Sequence, residues 1–243
     1  MNRTGIEWVR NNDNTQGFTW NPVVGCRHGC EWCYARKMAR RQKCPKCKAF
    51  EPHLHWHRGG KVSFPQKKAT TIFVGSMCDL WGDWIDALWI KIVLDEICEY
   101  PQHRFLTLTK NPKRYLEFDL PENLWCGVTI TKTEDVYARL GDISRLRSHQ
   151  RFISFEPLLD DAGTSPHFDE SPFYDDFDWL IVGPLNGDAK RGPVTKAEWV
   201  FHIMDVAAKT GVPVFLKDAF VKHRIFNEEF VKAHQQVPWI GGR

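Results

Sequence analysis

Six apolar runs rich in β-branched and aromatic residues recur along the chain and constrain its fold more than any other feature. They lie at 71–75, 104–109, 125–130, 151–156, 179–183 and 212–217, and a shorter run, FTW, precedes them at 18–20. Most are continuously hydrophobic, which is typical of strands covered on both faces of a parallel sheet. Helical patterns separate them, so the sequence predicts successive βαβ units.

Three segments between the runs carry helical signals. Apolar residues recur at intervals of three and four from Ile85 to Ile97, with Leu88 inside the stripe, and again from Val136 to Leu146. Thr195 with Glu198 has the spacing of a capping box at the start of a third helix. We therefore expect an α/β fold: one domain, residues 1–243, forming a partial or nearly closed (β/α) barrel, an architecture of about 250 residues.

Two segments interrupt the alternation, and they carry opposite charge. Residues 43–68 hold a Cys-x2-Cys pair and several histidines, and we interpret them as an insertion. The stretch 36–68 contains eleven Lys or Arg residues against one acid, whereas 156–178, which includes an acidic loop at 160–178, contains eight acids and no Lys or Arg. The formal net charge of +3 hides this separation, and the basic stretch makes a polyanionic partner plausible.

Five of the eight cysteines lie between positions 26 and 47. The chain has no apolar run of about 18 residues and no apolar core near its first residue, so we expect a cytoplasmic protein that does not associate with membranes. Thiols stay reduced there, which favours metal binding over disulfides. Of the isolated cysteines, Cys98 and Cys126 are expected to be buried thiols, and Cys78 has no assigned role.

Cys26, Cys30 and Cys33 form a C-x3-C-x2-C motif on a short segment with glycines at 25 and 29. Three thiolates without a fourth partner fit a [4Fe-4S] cluster that leaves one iron open. An alternative is a zinc site that combines Cys30 and Cys33 with Cys44 and Cys47. The spacing leaves both interpretations open.

The motif, with Trp32 before its last cysteine and a short strand ahead of it, resembles the radical S-adenosylmethionine (SAM) superfamily. In that superfamily three cysteines hold a [4Fe-4S] cluster, the open iron binds SAM, and reductive cleavage yields a 5′-deoxyadenosyl radical that abstracts a hydrogen from the substrate. The resemblance implies a barrel fold, SAM as cofactor, and an electron donor of the flavodoxin or ferredoxin type.

The resemblance is narrower to a phage-associated radical-SAM-like family with a W-N-P…C-x3-C-x2-C-Y-A opening. The similar blocks are WNPVVGCRHGCEWCYARKMARR, IFVGSMCDLW, LTLTKNP, WCGVTI, RFISFEPLL, WLIVGPLNG and VFLKDAF. Some phage radical SAM enzymes act in thymidine hypermodification, where an amino acid attached to the base is rearranged. This implies an isomerase acting on DNA or a modified nucleoside, located in the host cytoplasm if a phage encodes the chain.

The resemblance also implies cofactor-binding positions. Trp32 and Tyr34 should lie beside the cluster, and Gly75, Ser76 and Met77 stand where the family has a glycine-rich motif that meets the cofactor's amino group. No acid follows that motif directly, so we interpret Asp79 as taking the place of the family's acid at a shifted position. Two threonines are expected to bind the ribose hydroxyls. Those two threonines are Thr129 and Thr131.

Polar residues end several predicted strands, at the edge where barrel enzymes place their active sites. Glu156 is expected to face inward and to meet a substrate amine or the cofactor, and Lys110 and Lys217 could bind a carboxylate or phosphate. Asn186 is a further cofactor-binding candidate. An internal ion pair between a glutamate and a lysine is the structural alternative.

The second cysteine pair, Cys44 and Cys47, is followed by histidines at 53, 55 and 57 that alternate along an extended segment. Two thiolates and two imidazoles would complete a tetrahedral zinc site, for which we take His55 and His57 as ligands. A second iron–sulfur cluster and two free thiols are the alternatives for this pair. Rival functions remain: a zinc-stabilised, non-catalytic nucleic-acid-binding protein, a cluster-based redox sensor, and a radical SAM enzyme acting on a small molecule other than a nucleotide.

Overall fold

The computed structural model describes residues 2–55, 64–65, 68–164, 177–185 and 195–240. His57, Asn186, part of the insertion (56–63 and 66–67) and most of the acidic loop (165–176) lie outside the described residues. The chain divides into two compact units, Met1–Trp125 and Cys126–Arg243, which are considered in turn.

The first unit contains a mostly parallel sheet and a small antiparallel ribbon. Its sheet strands, in spatial order, are β1 (Asn2–Arg3), β2 (Phe18–Trp20), β5 (Thr71–Val74) and β6 (Arg104–Thr109). β1 is antiparallel to β2, and the other pairs are parallel. The ribbon pairs β3 (Val23–Val24) with β4 (His53–Leu54), and the helices are α1 (Tyr34–Ala39), α2 (Pro45–Ala49) and α3 (Ala87–Cys98), followed by a 3₁₀ segment at Pro112–Glu117.

The α3 helix illustrates how the apolar pattern is used. Asp86 caps its first turn by accepting a hydrogen bond from the Leu88 backbone N–H at 2.8 Å. The buried face is formed by Ile90, Val93, Leu94 and Ile97. Leu88, which the sequence placed in the buried stripe, is 60% exposed, and Cys98 is exposed at the helix end, so both expectations of burial are wrong.

The second unit contains four parallel strands, β7 (Leu124–Thr129), β8 (Arg151–Phe155), β9 (Trp179–Val182) and β10 (Val214–Leu216), paired in that order. Its helices are α4 (Thr133–Ile143), α5 (Ala197–Thr210), α6 (Ala219–Lys222) and α7 (Glu228–Ala233), with a 3₁₀ turn at Ala162–Thr164. Strands β8, β9 and β10 are buried along their whole length, as their continuous hydrophobicity predicts.

The structure confirms a mixed α/β fold whose main strands are mostly parallel. Among the described residues of each unit the paired strands form an open array, so no closed barrel is formed within either one. All seven predicted strands are present, but the capping box is wrong. Helix α5 begins after Lys196, because the buried Thr195 hydroxyl donates instead to the Leu158 carbonyl at 2.7 Å.

None of the described helices is both long enough and apolar enough to cross a bilayer.

Candidate functional site

The three-cysteine loop lies at the carboxyl edge of the first unit's parallel strands. It follows β2 and β3, and the Gly25 backbone N–H donates to the Met77 carbonyl at 3.0 Å, beside the end of β5. The Gly75 N–H donates to the Trp20 carbonyl at 2.9 Å, so the segments after β2 and β5 run together. Open parallel sheets bind ligands at this edge.

Asp79 joins this loop to the segments after β5 and β6. Its Oδ1 accepts from the Thr109 hydroxyl at 2.7 Å and the Trp81 N–H at 3.1 Å. Its Oδ2 accepts from the Lys110 N–H at 2.9 Å and lies 2.7 Å from His28 Nε2. Two carboxylate oxygens have about four acceptor positions. The buried Asp79 carboxylate is therefore fully used inside the protein, and it positions the loops in this structure.

The three thiols of the loop are half-buried and each has a different environment. The Lys110 ammonium donates to Cys30 Sγ at 3.2 Å and lies 5.3 Å from the centre of the Trp32 ring. Cys33 caps α1, where its Sγ accepts from the Arg36 N–H at 3.3 Å. Desolvation raises the pKa of Cys26 to about 11, and the nearby Asp79 charge adds to this shift.

Other predicted cofactor residues surround the same loop. The Tyr34 hydroxyl donates to the Ser76 carbonyl at 2.7 Å. Asn21 Oδ1 accepts from the Ser76 hydroxyl at 3.1 Å and from the Met77 N–H at 3.0 Å. The structure thus brings together the cysteine motif, Trp32, Tyr34, the 75–77 segment, Asp79 and Lys110.

Sequence reasoning missed Asn21, His28 and the place of Cys78. His28 lies inside the cysteine motif and Asn21 directly after β2, so their positions next to the candidate site were the available signal. Cys78 forms an isolated β-bridge with Gly25, next to the first cysteine of the motif. Burial raises the pKa of the Cys78 thiol well above its ordinary value, and the charges of Asp79 and Cys26 raise it further.

The second cysteine pair lies around α2. Cys44 is the residue before the helix and Cys47 lies in its first turn, while His53 comes from β4. The ligand atoms of Cys44, Cys47 and His53 all lie within 4.8 Å of one another, and this is the only such group of three among the described residues. His55 Nδ1 lies 3.1 Å from Cys47 Sγ. Cys47 lowers the pKa of Cys44 through its backbone N–H and side chain, whereas burial raises the pKa of Cys47 to about 11.

The described residues do not bring Cys30 and Cys33 into this group, so they do not support the zinc site shared between the two motifs. The expected partner His55 contacts Cys47, and the structure adds His53, whereas His57 lies outside the described residues.

Candidates in the second unit engage partners of their own. Glu156 and the buried Lys217 form an ion pair, which was the structural alternative for these two residues. The Thr131 N–H and hydroxyl donate to Asp135 Oδ2 at 2.8 and 2.7 Å, at the start of α4. Thr129 is buried, and its carbonyl accepts from Arg139 at 2.6 Å. In this structure Thr131 is therefore held by the Asp135 carboxylate, just before the N-cap residue Lys132 of α4.

A basic surface adjoins the three-cysteine loop. Its exposed side chains come from α1, α2 and the turn between them: Lys37, Arg40, Arg41, Lys43, Lys46 and Lys48. None of the six forms an ion pair with another described residue. Clustered positive charge of this kind attracts polyanions.

A family model described as "Protein of unknown function (DUF5131)" matches residues 3–236. No curated protein and no solved structure matched the chain.

Proposed function

We propose that this chain, which belongs to the family described as "Protein of unknown function (DUF5131)", is a radical SAM enzyme. The observation that carries the proposal is the arrangement of three free thiols on one loop at the carboxyl edge of parallel strands, with the Lys110 ammonium on Cys30. Cys26, Cys30 and Cys33 would hold the [4Fe-4S] cluster.

The donor set fits such a group. The three thiols are partly buried, so a bound cluster would be shielded yet accessible to a cofactor. Gly25 and Gly29 have φ values of 105° and 69°, which let the loop curve around a bulky group. A cubane attaches each cysteine to a different iron, so its ligands stand farther apart than those that share one ion. Cys26, Cys30 and Cys33 are therefore not expected to lie within 4.8 Å of one another, and no such group of these three is found among the described residues.

When bound, the cluster and SAM together supply the electron transfer that cleaves the sulfonium and yields the 5′-deoxyadenosyl radical. The protein's own residues prepare this chemistry. Lys110 places positive charge at Cys30 Sγ, and Asp79 fixes the lysine's backbone and the His28 ring. Tyr34 and Asn21 hold the 76–77 segment in place beside the cysteine loop. A rigid, preorganised setting of this kind is what a reactive site requires.

The proposal includes the partial (β/α) barrel expected from the sequence, supported by the mostly parallel strands and by helices following them. In the second unit, Glu156 and Lys217 are paired charges that a substrate amine or carboxylate could engage by exchange. Thr129 and Asn186 remain candidate cofactor contacts in this proposal.

The proposed substrate is a nucleotide or DNA base, on which hydrogen abstraction starts an isomerisation in phage thymidine hypermodification. The basic surface on α1 and α2 supports an anionic substrate, since its six cations adjoin the candidate site. A flavodoxin or ferredoxin in the host cytoplasm would supply the electron.

The test is anaerobic reconstitution with iron and sulfide, followed by reductant and SAM. The wild-type protein should become brown and release 5′-deoxyadenosine, whereas Cys30→Ala should do neither. Cys98→Ser, which removes an exposed thiol away from the motif, is the matched control and should behave like the wild type. A colourless protein, or a cluster that yields no 5′-deoxyadenosine with any nucleoside or DNA tested, would contradict the proposal.

The second candidate is a non-catalytic nucleic-acid-binding protein stabilised by zinc, favoured by the basic surface and the Cys44, Cys47 and His53 group. It predicts DNA binding that weakens steeply with salt and is unchanged by Cys30→Ala. Salt-dependent binding in a protein without an iron–sulfur cluster would favour this candidate over the enzyme.

A further inference from the structure

We propose that Cys44, Cys47, His53 and His55 bind one zinc ion, and that this ion holds the insertion against the three-cysteine loop. The site is separate from the proposed cluster, and its existence does not depend on radical chemistry. His53 takes the place that the sequence pattern gave to His57.

Three ligand atoms lie close to one another, and His55 contacts one of them. With Zn–S of about 2.3 Å and Zn–N of about 2.05 Å, two ligands of a tetrahedral zinc lie about 3.3–3.8 Å apart. Cys47 Sγ lies 3.5 Å from His53 Nε2 and 3.1 Å from His55 Nδ1. Cys44 Sγ completes the group within 4.8 Å of Cys47 and His53. His55 lies outside that group of three, so its ring would have to move toward Cys44 and His53 for all four atoms to bind one zinc ion.

The histidine environment selects a metal-binding tautomer. His53 Nδ1 lies 2.7 Å from the Glu51 carbonyl, which accepts a hydrogen bond, so the proton resides on Nδ1 and the Nε2 lone pair faces Cys47. Ligating histidines typically donate their other ring N–H to such an acceptor. Two thiolates with two imidazoles in tetrahedral arrangement are the ligand set of a structural zinc site.

The insertion is attached to the three-cysteine loop through its backbone. β4, which carries His53, pairs with β3 in the register Val23 with Leu54 and Val24 with His53. The His55 N–H donates to the Pro22 carbonyl at 2.7 Å, and the Cys26 N–H donates to the Phe50 carbonyl at 3.2 Å. The zinc ligands therefore lie on the chain segment that fixes the first cysteine of the loop.

The two motifs also share one small apolar core. Its buried members are Val24, Ala35, Ala39, Cys47, Phe50 and Met77, and Cys26, Cys33 and Cys44 pack against it. Helix α2 has five residues and β4 has two, so the described segment 44–55 of the insertion has little core of its own. Small segments of this kind depend on a metal to order them.

The first test measures zinc in protein purified without added iron. We expect about one zinc per chain, strong loss in Cys47→Ser and in His53→Ala, and retention in a Cys26→Ser/Cys30→Ser/Cys33→Ser triple variant. Cobalt(II) added to metal-free wild-type protein should give the visible spectrum of a tetrahedral thiolate site, which covers the case that a variant does not fold. No metal bound, or metal lost in the triple variant but kept in Cys47→Ser, would overturn the proposal.

The second test follows amide hydrogen exchange in wild-type protein before and after zinc removal by a chelator. Residues 22–34 should exchange several-fold faster without zinc, while the second unit's β8 should be unchanged. A change in exchange confined to residues 44–55, or no change, would contradict the proposal that zinc holds the insertion against the three-cysteine loop. Both readouts are free of iron and SAM, so a protein that binds zinc but forms no 5′-deoxyadenosine would contradict only the proposed enzyme.

Discussion

The two cysteine sites of the first unit arrange their sulfur atoms in opposite ways. In the insertion, Cys44 and Cys47 converge with His53 to within 4.8 Å. In the three-cysteine loop each thiol has a neighbour of its own: Lys110 for Cys30, the Arg36 N–H for Cys33, and a desolvated pocket near Asp79 for Cys26. Convergent donors suit one ion, whereas three thiols with separate neighbours are compatible with the proposed group of several metal atoms.

The difference also separates the sources of rigidity. The insertion site has a small core and would take its order from its metal. The three-cysteine loop is held by protein contacts, above all the four hydrogen bonds of Asp79, and so is positioned before any cofactor arrives. Substitutions at the junction should damage both sites, whereas those on one side should damage one.

Gly25→Ala should have the largest effect because Gly25 lies at the junction of the two sites. Its φ is 105°, and a Cβ would stand 2.3 Å from the Glu51 carbonyl carbon. We expect a loss of unfolding free energy of about 3 kcal/mol or more, with loss of both zinc and cluster. Gly29→Ala is the matched control, since its φ is 69° but a Cβ meets nothing within 4 Å. It should cost about 1 kcal/mol in chemical denaturation; equal effects of the two variants would contradict the junction.

Asp79→Asn should weaken the three-cysteine loop and spare the insertion. In the wild type these donors bind a carboxylate oxygen. The asparagine amide would turn an N–H group toward some of them, so buried donors would lose their acceptor. We expect about 3 kcal/mol less unfolding free energy and poor iron incorporation, with zinc content unchanged. Asp95→Asn, at an exposed position on α3, is the control and should have the same denaturation curve as the wild type. Parallel loss of zinc in Asp79→Asn would show that the two sites are not separable.

Lys110→Met should have the smallest effect, confined to one thiol. The substitution keeps an unbranched side chain but removes the charge 3.2 Å from Cys30 Sγ. One unit charge near the surface is worth about 1 kcal/mol, so alkylation of Cys30 by iodoacetamide in metal-free protein should slow about fivefold. The exposed Cys98 provides the internal reference, and Lys113→Met the control variant. An unchanged alkylation rate at Cys30 would show that the Lys110 charge does not act on this thiol.

Much of the fold was predictable because strands and helices follow from local hydrophobic periodicity. The run RFLTLT became β6 at the predicted residues, and TIFV became β5. The capping box at Thr195 failed because its hydroxyl meets the Leu158 carbonyl, a residue distant in sequence. The predicted burial of Leu88 was wrong because an apolar stripe gives the spacing of a buried face but not its boundaries.

The candidate site divides in the same way. The C-x3-C-x2-C and C-x2-C spacings marked both cysteine sites, since these donors are neighbours along the chain. His53 could not be distinguished from its alternating neighbours, because the choice depends on how β4 pairs with β3. The role of Asp79 was also beyond the sequence, because three of its four donors, His28, Thr109 and Lys110, are distant from it along the chain.

The sequence by itself determined the donor types, the two cysteine motifs, the separation of charge and the order of strands and helices, all of which are local properties of a chain. The tertiary structure decided which histidines face Cys47, that Lys110 meets Cys30, and that Glu156 pairs with Lys217. The physical reason is that hydrogen bonds and ion pairs act over about 3 Å. Only the folded backbone brings residues 61 or 80 positions apart to that distance.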